Sequence, residues 1–160
     1  MPLISPSLPN EIDRVRRYTS PRALAQIDAR IEENIRYYAA QPLHVIGRRI
    51  DELEREWSVE RWLEANASSL ALATVILGVT RSKRWLLATT GVMGFLLLHA
   101  VEGWCPPIPI MRKLGIRTRG EIEREKYALK FLRGDFKAIP SDPEKLRRSP
   151  ATEVYNAIRV

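Results

Sequence analysis

Two uncharged runs, residues 65–80 and 85–101, stand on either side of the basic link Arg81-Ser82-Lys83-Arg84. A helix rises about 1.5 Å per residue and a bilayer's hydrocarbon core is about 30 Å thick, so segments 62–80 and 85–104, each roughly 27–29 Å long as helices, just span it. The pattern predicts an all-α membrane protein built on a two-helix transmembrane hairpin flanked by cytoplasmic amphipathic helices. Trp62 and Trp104 bracket the hairpin on one side and Trp85 marks the other, where amphipathic rings sit at headgroup level. The competing reading is a buried helical hairpin in a soluble bundle. It is favoured by runs slightly shorter than the usual span of about 18 apolar residues, and by Asn66, Ser68, Ser69 and Thr74 in the first run. Against it, Ala65, Ser69 and Ala73 recur every four residues, and Gly91 and Gly94 interrupt the second run. Small residues let transmembrane backbones approach closely, whereas two glycines weaken a helix in water, so these five are the expected helix-packing residues.

The chain of 160 residues is 45% hydrophobic, but its apolar residues are concentrated in the hairpin, which leaves the remaining segments poor in core. The net charge of +7 includes three basic residues in the link, and no Lys/Arg stripe interleaved with aromatics points to nucleic acid. Juxtamembrane charge facing anionic lipid is the simpler account, making the lipid bilayer the expected partner. Cys105 is the only cysteine, which excludes an intrachain disulfide framework and a cysteine-rich zinc site. Residues 1–20 mix prolines and charges and show no apolar signal segment.

Orientation follows from the flanks. Arg48, Arg49, Arg55 and Arg61 precede Trp62, and Arg112, Lys113, Arg117 and Arg119 follow Cys105, against three cations in the link. The excess predicts a two-span protein with both termini cytoplasmic, Arg81, Lys83 and Arg84 snorkelling into the opposite interface.

Around the hairpin the chain divides into an arm (1–20), amphipathic helices (21–60), the hairpin itself (61–105), a juxtamembrane turn and helix (106–136) and a flexible tail (137–160). Pro2, Pro6 and Pro9 make the arm extended, with a short helix over residues 11–18. Ser20-Pro21 caps the next helix, in which Leu24, Ile27, Ile31, Ile35 and Tyr38 share one face until Gln41-Pro42 breaks it. Leu43, Ile46, Ile50, Leu53 and Trp57 then recur at heptad-like spacing. Acidic residues offset the basic ones on the polar face, so this helix packs on another helix: either the preceding one folded back, or its counterpart in a second chain. Ser58 is placed to cap the first span. Pro106, Pro107 and Pro109 end the second, with a helical turn over residues 111–114. Thr118-Arg119-Gly120-Glu121 has the form of a capping box, opening an amphipathic helix with Ile122, Leu129, Phe131 and Leu132 that Gly134 stops; its acidic start and basic end complement the helix dipole.

Glu60-Arg61-Trp62, the hairpin, Gly103-Trp104-Cys105-Pro106 and Arg112-Lys113-Leu114-Gly115-Ile116 together resemble the YgaP-like inner-membrane transmembrane domain, a small bacterial family of unknown function. The resemblance covers about residues 60–116, and its most specific parts are Gly-x-Cys-Pro and Lys-Leu-Gly. It implies a two-helix hairpin in the bacterial cell inner membrane with cytoplasmic termini. Some members of that family carry a rhodanese domain, which moves sulfane sulfur on a cysteine. This chain has no Cys-x-x-Gly-x-Arg sulfur site, so that activity does not carry over to any of its residues.

No Gly-x-x-x-x-Gly-Lys loop, His-Glu-x-x-His pair or serine or cysteine triad occurs, and the only histidines are His44, expected at the surface, and His99. An enzyme is therefore not expected, nor a cofactor or bound metal. The expected role is an accessory or anchoring membrane protein that self-associates or joins a larger membrane complex. A sulfur-handling thiol or a small-anion pathway linked to a rhodanese-type partner is the alternative.

The candidate polar cluster lies at the cytoplasmic end of the hairpin. Antiparallel spans bring Glu64 near His99 and Glu102, with Cys105 just after the turn. The plain reading puts both carboxylates in headgroup water, has His99 hydrogen-bond between the spans and makes Cys105 a small apolar residue; the sharper one is a metal or redox site, or a thiol that accepts sulfur from a separate cytoplasmic protein, with His99 lowering the thiol's pKa so that Cys105 labels from the cytoplasm.

Overall fold

A computed structural model describes residues 14–137, together with 142, 144, 145 and 150–152. The expected arm over residues 1–10 lies outside the described residues, as does nearly all of the expected tail. All regular structure among the described residues is helical: α1 (Arg14–Arg17), α2 (Pro21–Ala39), α3 (Leu43–Arg55), α4 (Val59–Thr80), α5 (Trp85–Glu102), α6 (Ile108–Lys113) and α7 (Arg119–Arg133). The helices belong to two compact units, residues 1–29 with 57–122 and residues 30–56 with 123–160; the division falls within α2 and within α7.

The first unit contains the hairpin. Its two helices, α4 and α5, are long and apolar enough to cross a membrane. At about 1.5 Å per residue they extend to roughly 33 and 27 Å, matching a hydrocarbon core of about 30 Å. The Ser58 hydroxyl accepts the Arg61 N–H at 3.4 Å and so caps α4 as its position in the sequence predicts. Glu60 in the same turn adds a favourable charge. At the far end of α5, Gly103 adopts φ +80° and returns its N–H to the His99 carbonyl. This left-handed cap is open to glycine, and a Cβ here would also run into Arg14. The second helix of the hairpin therefore ends at Glu102, two residues short of the expected end at Trp104.

The seam between the spans uses residues other than the expected five. Thr74, nearly fully buried, places its hydroxyl 2.8 Å from that of Thr89 across the seam. One turn on, Gly78 lets α5 approach so closely that a Cβ would lie 2.6 Å from Leu86 Cδ2. Ser69 and Ala73 are exposed and Ala65 is half-buried, while Gly91 and Gly94 face open space. Period-four spacing identified a face of small residues, but the hairpin packs on a neighbouring face of the same helix.

Below the spans, Val15, Val59, Leu63, Cys105 and Ile108 form an apolar core, with Met111 and Ile116 against it. The Val59 N–H donates to the Arg117 carbonyl at 2.9 Å, tying the start of α4 to the segment before α7. α6 begins at Ile108, earlier than the expected turn at 111–114, because Pro109 falls in the first turn, where its missing N–H is harmless. The capping box forms as predicted: the Thr118 N–H donates to Glu121 Oε2 at 2.9 Å and the Glu121 N–H to Thr118 Oγ1 at 3.3 Å.

Glu121 also does something the capping pattern does not convey. Its side chain is fully buried and receives two bonds from Arg112, at 2.7 and 2.6 Å, and a third from Arg16. Arg112 reaches Thr19 Oγ1 and the Ile116 carbonyl as well, and Arg16 forks onto Asp28. Burial alone pushes the Glu121 carboxyl up. The hydrogen bonds from Arg112 and the Thr118 N–H, with the charges of Arg112 and Arg16, outweigh it and hold the group below the usual carboxylate range. Arg112, expected with Arg117 as a flank charge facing lipid, is thus buried, and Arg117 is buried as well.

The second unit repeats this device. Ile46, Ile50 and Leu53 of α3 are buried within the chain, while Leu43 and Trp57, the ends of the same stripe, are exposed. Glu125 of α7, also fully buried, accepts from Arg49 of α3 at 3.1 and 3.0 Å and from Asn34 of α2 at 3.2 and 3.3 Å. Three helices therefore meet on one carboxylate, and α7 turns Glu125 and Leu129 inward while leaving Phe131 and Leu132 outside.

Candidate functional site

The polar cluster expected at the end of the hairpin separates into parts. His99, half-buried, and Glu64 line one cavity of about 340 Å³ at the foot of the spans, and Glu60, one turn before Glu64, lines it too. Glu102 is exposed and lies outside the cavity lining. Cys105 belongs to the apolar core beneath, 8% exposed, and burial pushes its thiol up. A thiol used as a nucleophile or soft ligand needs the opposite shift, so Cys105 occupies its position as a small apolar side chain. Among the described residues no three His, Cys, Asp or Glu side chains come together as a metal site.

The cavity has a definite construction. α4 supplies an acidic wall, because Glu60 and Glu64 at i and i+4 project from one face. Glu60 Oε2 accepts the Arg119 N–H at 3.1 Å. α1 supplies the basic wall: the Arg14 guanidinium donates through one nitrogen to the Ala100 and Val101 carbonyls, at 3.1 and 2.5 Å, and so covers the end of α5. Leu96 and Val15 add apolar surface. The His99 Nδ1 is buried and has no hydrogen-bond partner among the described residues. An unsatisfied buried nitrogen typically costs about 1–3 kcal/mol.

No family model matches this chain, and neither a curated protein nor a solved structure matches it. The site therefore rests on its own residues. Sequence reasoning brought His99 and Glu64 together, because antiparallel spans bring their ends to one depth. It missed Glu60 and Arg14. Glu60 had a usable signal, its place one turn from Glu64; Arg14 had none, being separated from Ala100 by most of the chain.

The aromatic residues near the same end add a band of rings. Trp57 and Trp62 pack with centroids 4.9 Å apart, and the Arg61 guanidinium lies over Trp57 at 4.5 Å. Trp104 lies 6.4 Å from Phe95. Trp57, Trp62 and Trp85 are exposed at the ends of the hairpin.

Proposed function

We propose that this chain is a non-enzymatic hairpin protein of the bacterial inner membrane, with both termini cytoplasmic, which self-associates or anchors a larger membrane complex. The observation that carries the reading is the outer surface of the hairpin. No residue of α5 is buried, and Leu87, Phe95, Leu97 and Val101 stand exposed along it, as do Leu72, Ile76 and Val79 on α4. Apolar surface of that extent is unfavourable in water and is solvated by acyl chains. The rings of Trp62, Trp85 and Trp104 at the helix ends support the same placement. Ser69, Ala73, Gly91 and Gly94, left uncovered by the packing within the hairpin, are the surfaces on which a second hairpin can approach closely.

Alkaline carbonate extraction followed by cross-linking in native membranes tests both parts. Retention in the membrane pellet and a cross-linked species, either a dimer or a stoichiometric larger complex, is the expected result. Extraction into the supernatant overturns the membrane reading; a monomer that captures no neighbour overturns association. The sulfur-handling alternative is not carried forward, since the burial of Cys105 works against it.

A further inference from the structure

We propose that the cavity at the foot of the hairpin binds a phosphoethanolamine group, an ammonium and a phosphate joined by a short carbon bridge. Its two walls carry opposite charges. Among the described residues no ion pair engages Glu60 or Glu64, so two like charges one turn apart face the cavity together, an arrangement that a bound ammonium relieves. Across from them, the two carbonyl bonds of Arg14 use a single guanidinium nitrogen, which leaves the rest of its fork to meet a phosphate oxygen. His99 lines the same space, and its Nδ1, which has no hydrogen-bond partner among the described residues, is a further polar atom for a ligand to satisfy.

The charge pattern selects among ligand classes. A simple anion meets two carboxylates, and a simple cation meets Arg14. A metal ion lacks the three ligating side chains it needs among the described residues. A zwitterion with its charges a few ångströms apart satisfies both walls, and a cavity of about 340 Å³ accommodates it. Leu96 continues the site along the hairpin, where the first carbons of an acyl chain would run. The same chemistry is offered by the headgroup of phosphatidylethanolamine and by free phosphoethanolamine. The lipid source rests on the membrane reading given above, which puts this end of the hairpin at headgroup level.

The full chain, purified in mild detergent, is offered equimolar phosphatidylethanolamine, phosphatidylglycerol and phosphatidylcholine, and lipid retention is read by native mass spectrometry. Separately, free phosphoethanolamine is titrated while the His99 imidazole resonances are followed by NMR. Phosphatidylethanolamine is expected to be retained about tenfold over the others, the factor that one charge-assisted hydrogen bond carries. The near-isosteric Glu60→Gln/Glu64→Gln variant should abolish that preference while its helical circular dichroism stays unchanged. A shift of His99 with free phosphoethanolamine, without lipid retention, supports the cavity and assigns a soluble source. Equal retention of all three lipids together with unmoved His99 resonances overturns the proposal, as does a preference that survives the double substitution. Carbonate extraction of the same cells separates the two failures: a chain that stays in the pellet but shows no preference loses only this assignment, and a chain that is extracted loses the membrane reading while the soluble titration still judges the cavity.

Discussion

Arg112 and Glu121 form a two-bond ion pair, at 2.7 and 2.6 Å, in which both side chains are almost completely shut off from water. A pair of this kind gains from geometry what it loses in desolvation, and the balance turns sharply unfavourable when one member is removed. Arg112→Met takes two of its hydrogen bonds from a buried carboxylate that then keeps Arg16 and the Thr118 N–H, and Glu121→Leu leaves the buried Arg112 guanidinium without its carboxylate while Arg16 keeps Asp28; either is expected to destabilise the first unit by about 3 kcal/mol. Chemical unfolding of the detergent-solubilised protein reads this directly. A loss below about 1 kcal/mol, the scale of an exposed pair, would show the network to be solvated.

Acid should weaken the same unit. The folded-state pKa of Glu121 is lowered, so its contribution is fully present above the unfolded carboxyl's value of about 4.3 and is lost as pH falls through the folded value. Thermal melts from pH 7 to pH 3 are expected to hold steady and then fall, and the fall should be shallower in Glu121→Gln, which has no proton to take up. Parallel curves for the two proteins contradict this.

The glycines of the hairpin separate internal packing from association. Gly78→Ala forces Leu86 aside and is expected to cost about 1–3 kcal/mol, the usual range for overpacking. Gly91→Ala and Gly94→Ala meet nothing within 4 Å in the chain and should leave the hairpin intact or firmer, alanine being the better helix former by about 1 kcal/mol. If a second copy packs on that face, those two substitutions lower cross-linking yield without lowering the melting temperature. Unchanged cross-linking would move the contact to the Ser69 and Ala73 side.

Cys105 should resist labelling. Its burial and raised thiol pKa predict slow reaction with a membrane-impermeant maleimide at neutral pH, a rate that climbs with pH, and no change in His99→Ala. This follows the plain reading of Cys105 as a small apolar residue and goes against the sharper one, in which His99 lowers the thiol's pKa. Rapid labelling in native membrane vesicles would restore the reactive thiol.

The difference in legibility has a physical pattern. Interactions that depend on residues a turn or two apart were readable: the Ser58 cap, the Thr118 to Glu121 box, the helix ends on either side of the 81–84 link and the burial of Ile46, Ile50 and Leu53. What escaped were charges turned inward. Glu121 sits in the first turn of α7, where an acidic residue suits a helix start, and Glu125 one turn further on; nothing local distinguishes either from a surface carboxylate, because their partners Arg16, Arg112, Asn34 and Arg49 come from other helices. The cavity was half legible for the same reason, its acidic wall and His99 lying on the hairpin while Arg14 arrives from far upstream.

The burial of Arg112 and Arg117 also separates two moments in the life of the chain. On the membrane reading proposed above, a nascent polypeptide is oriented while its cations are still hydrated, so both residues would count toward topology as the hairpin entered the bilayer. In the folded chain both are buried, Arg112 within the Glu121 network, so the mature surface would offer lipid a weaker positive field than the one that oriented it. Substituting Arg117 would therefore be felt by the insertion machinery and scarcely at all by anionic vesicles added to the finished protein.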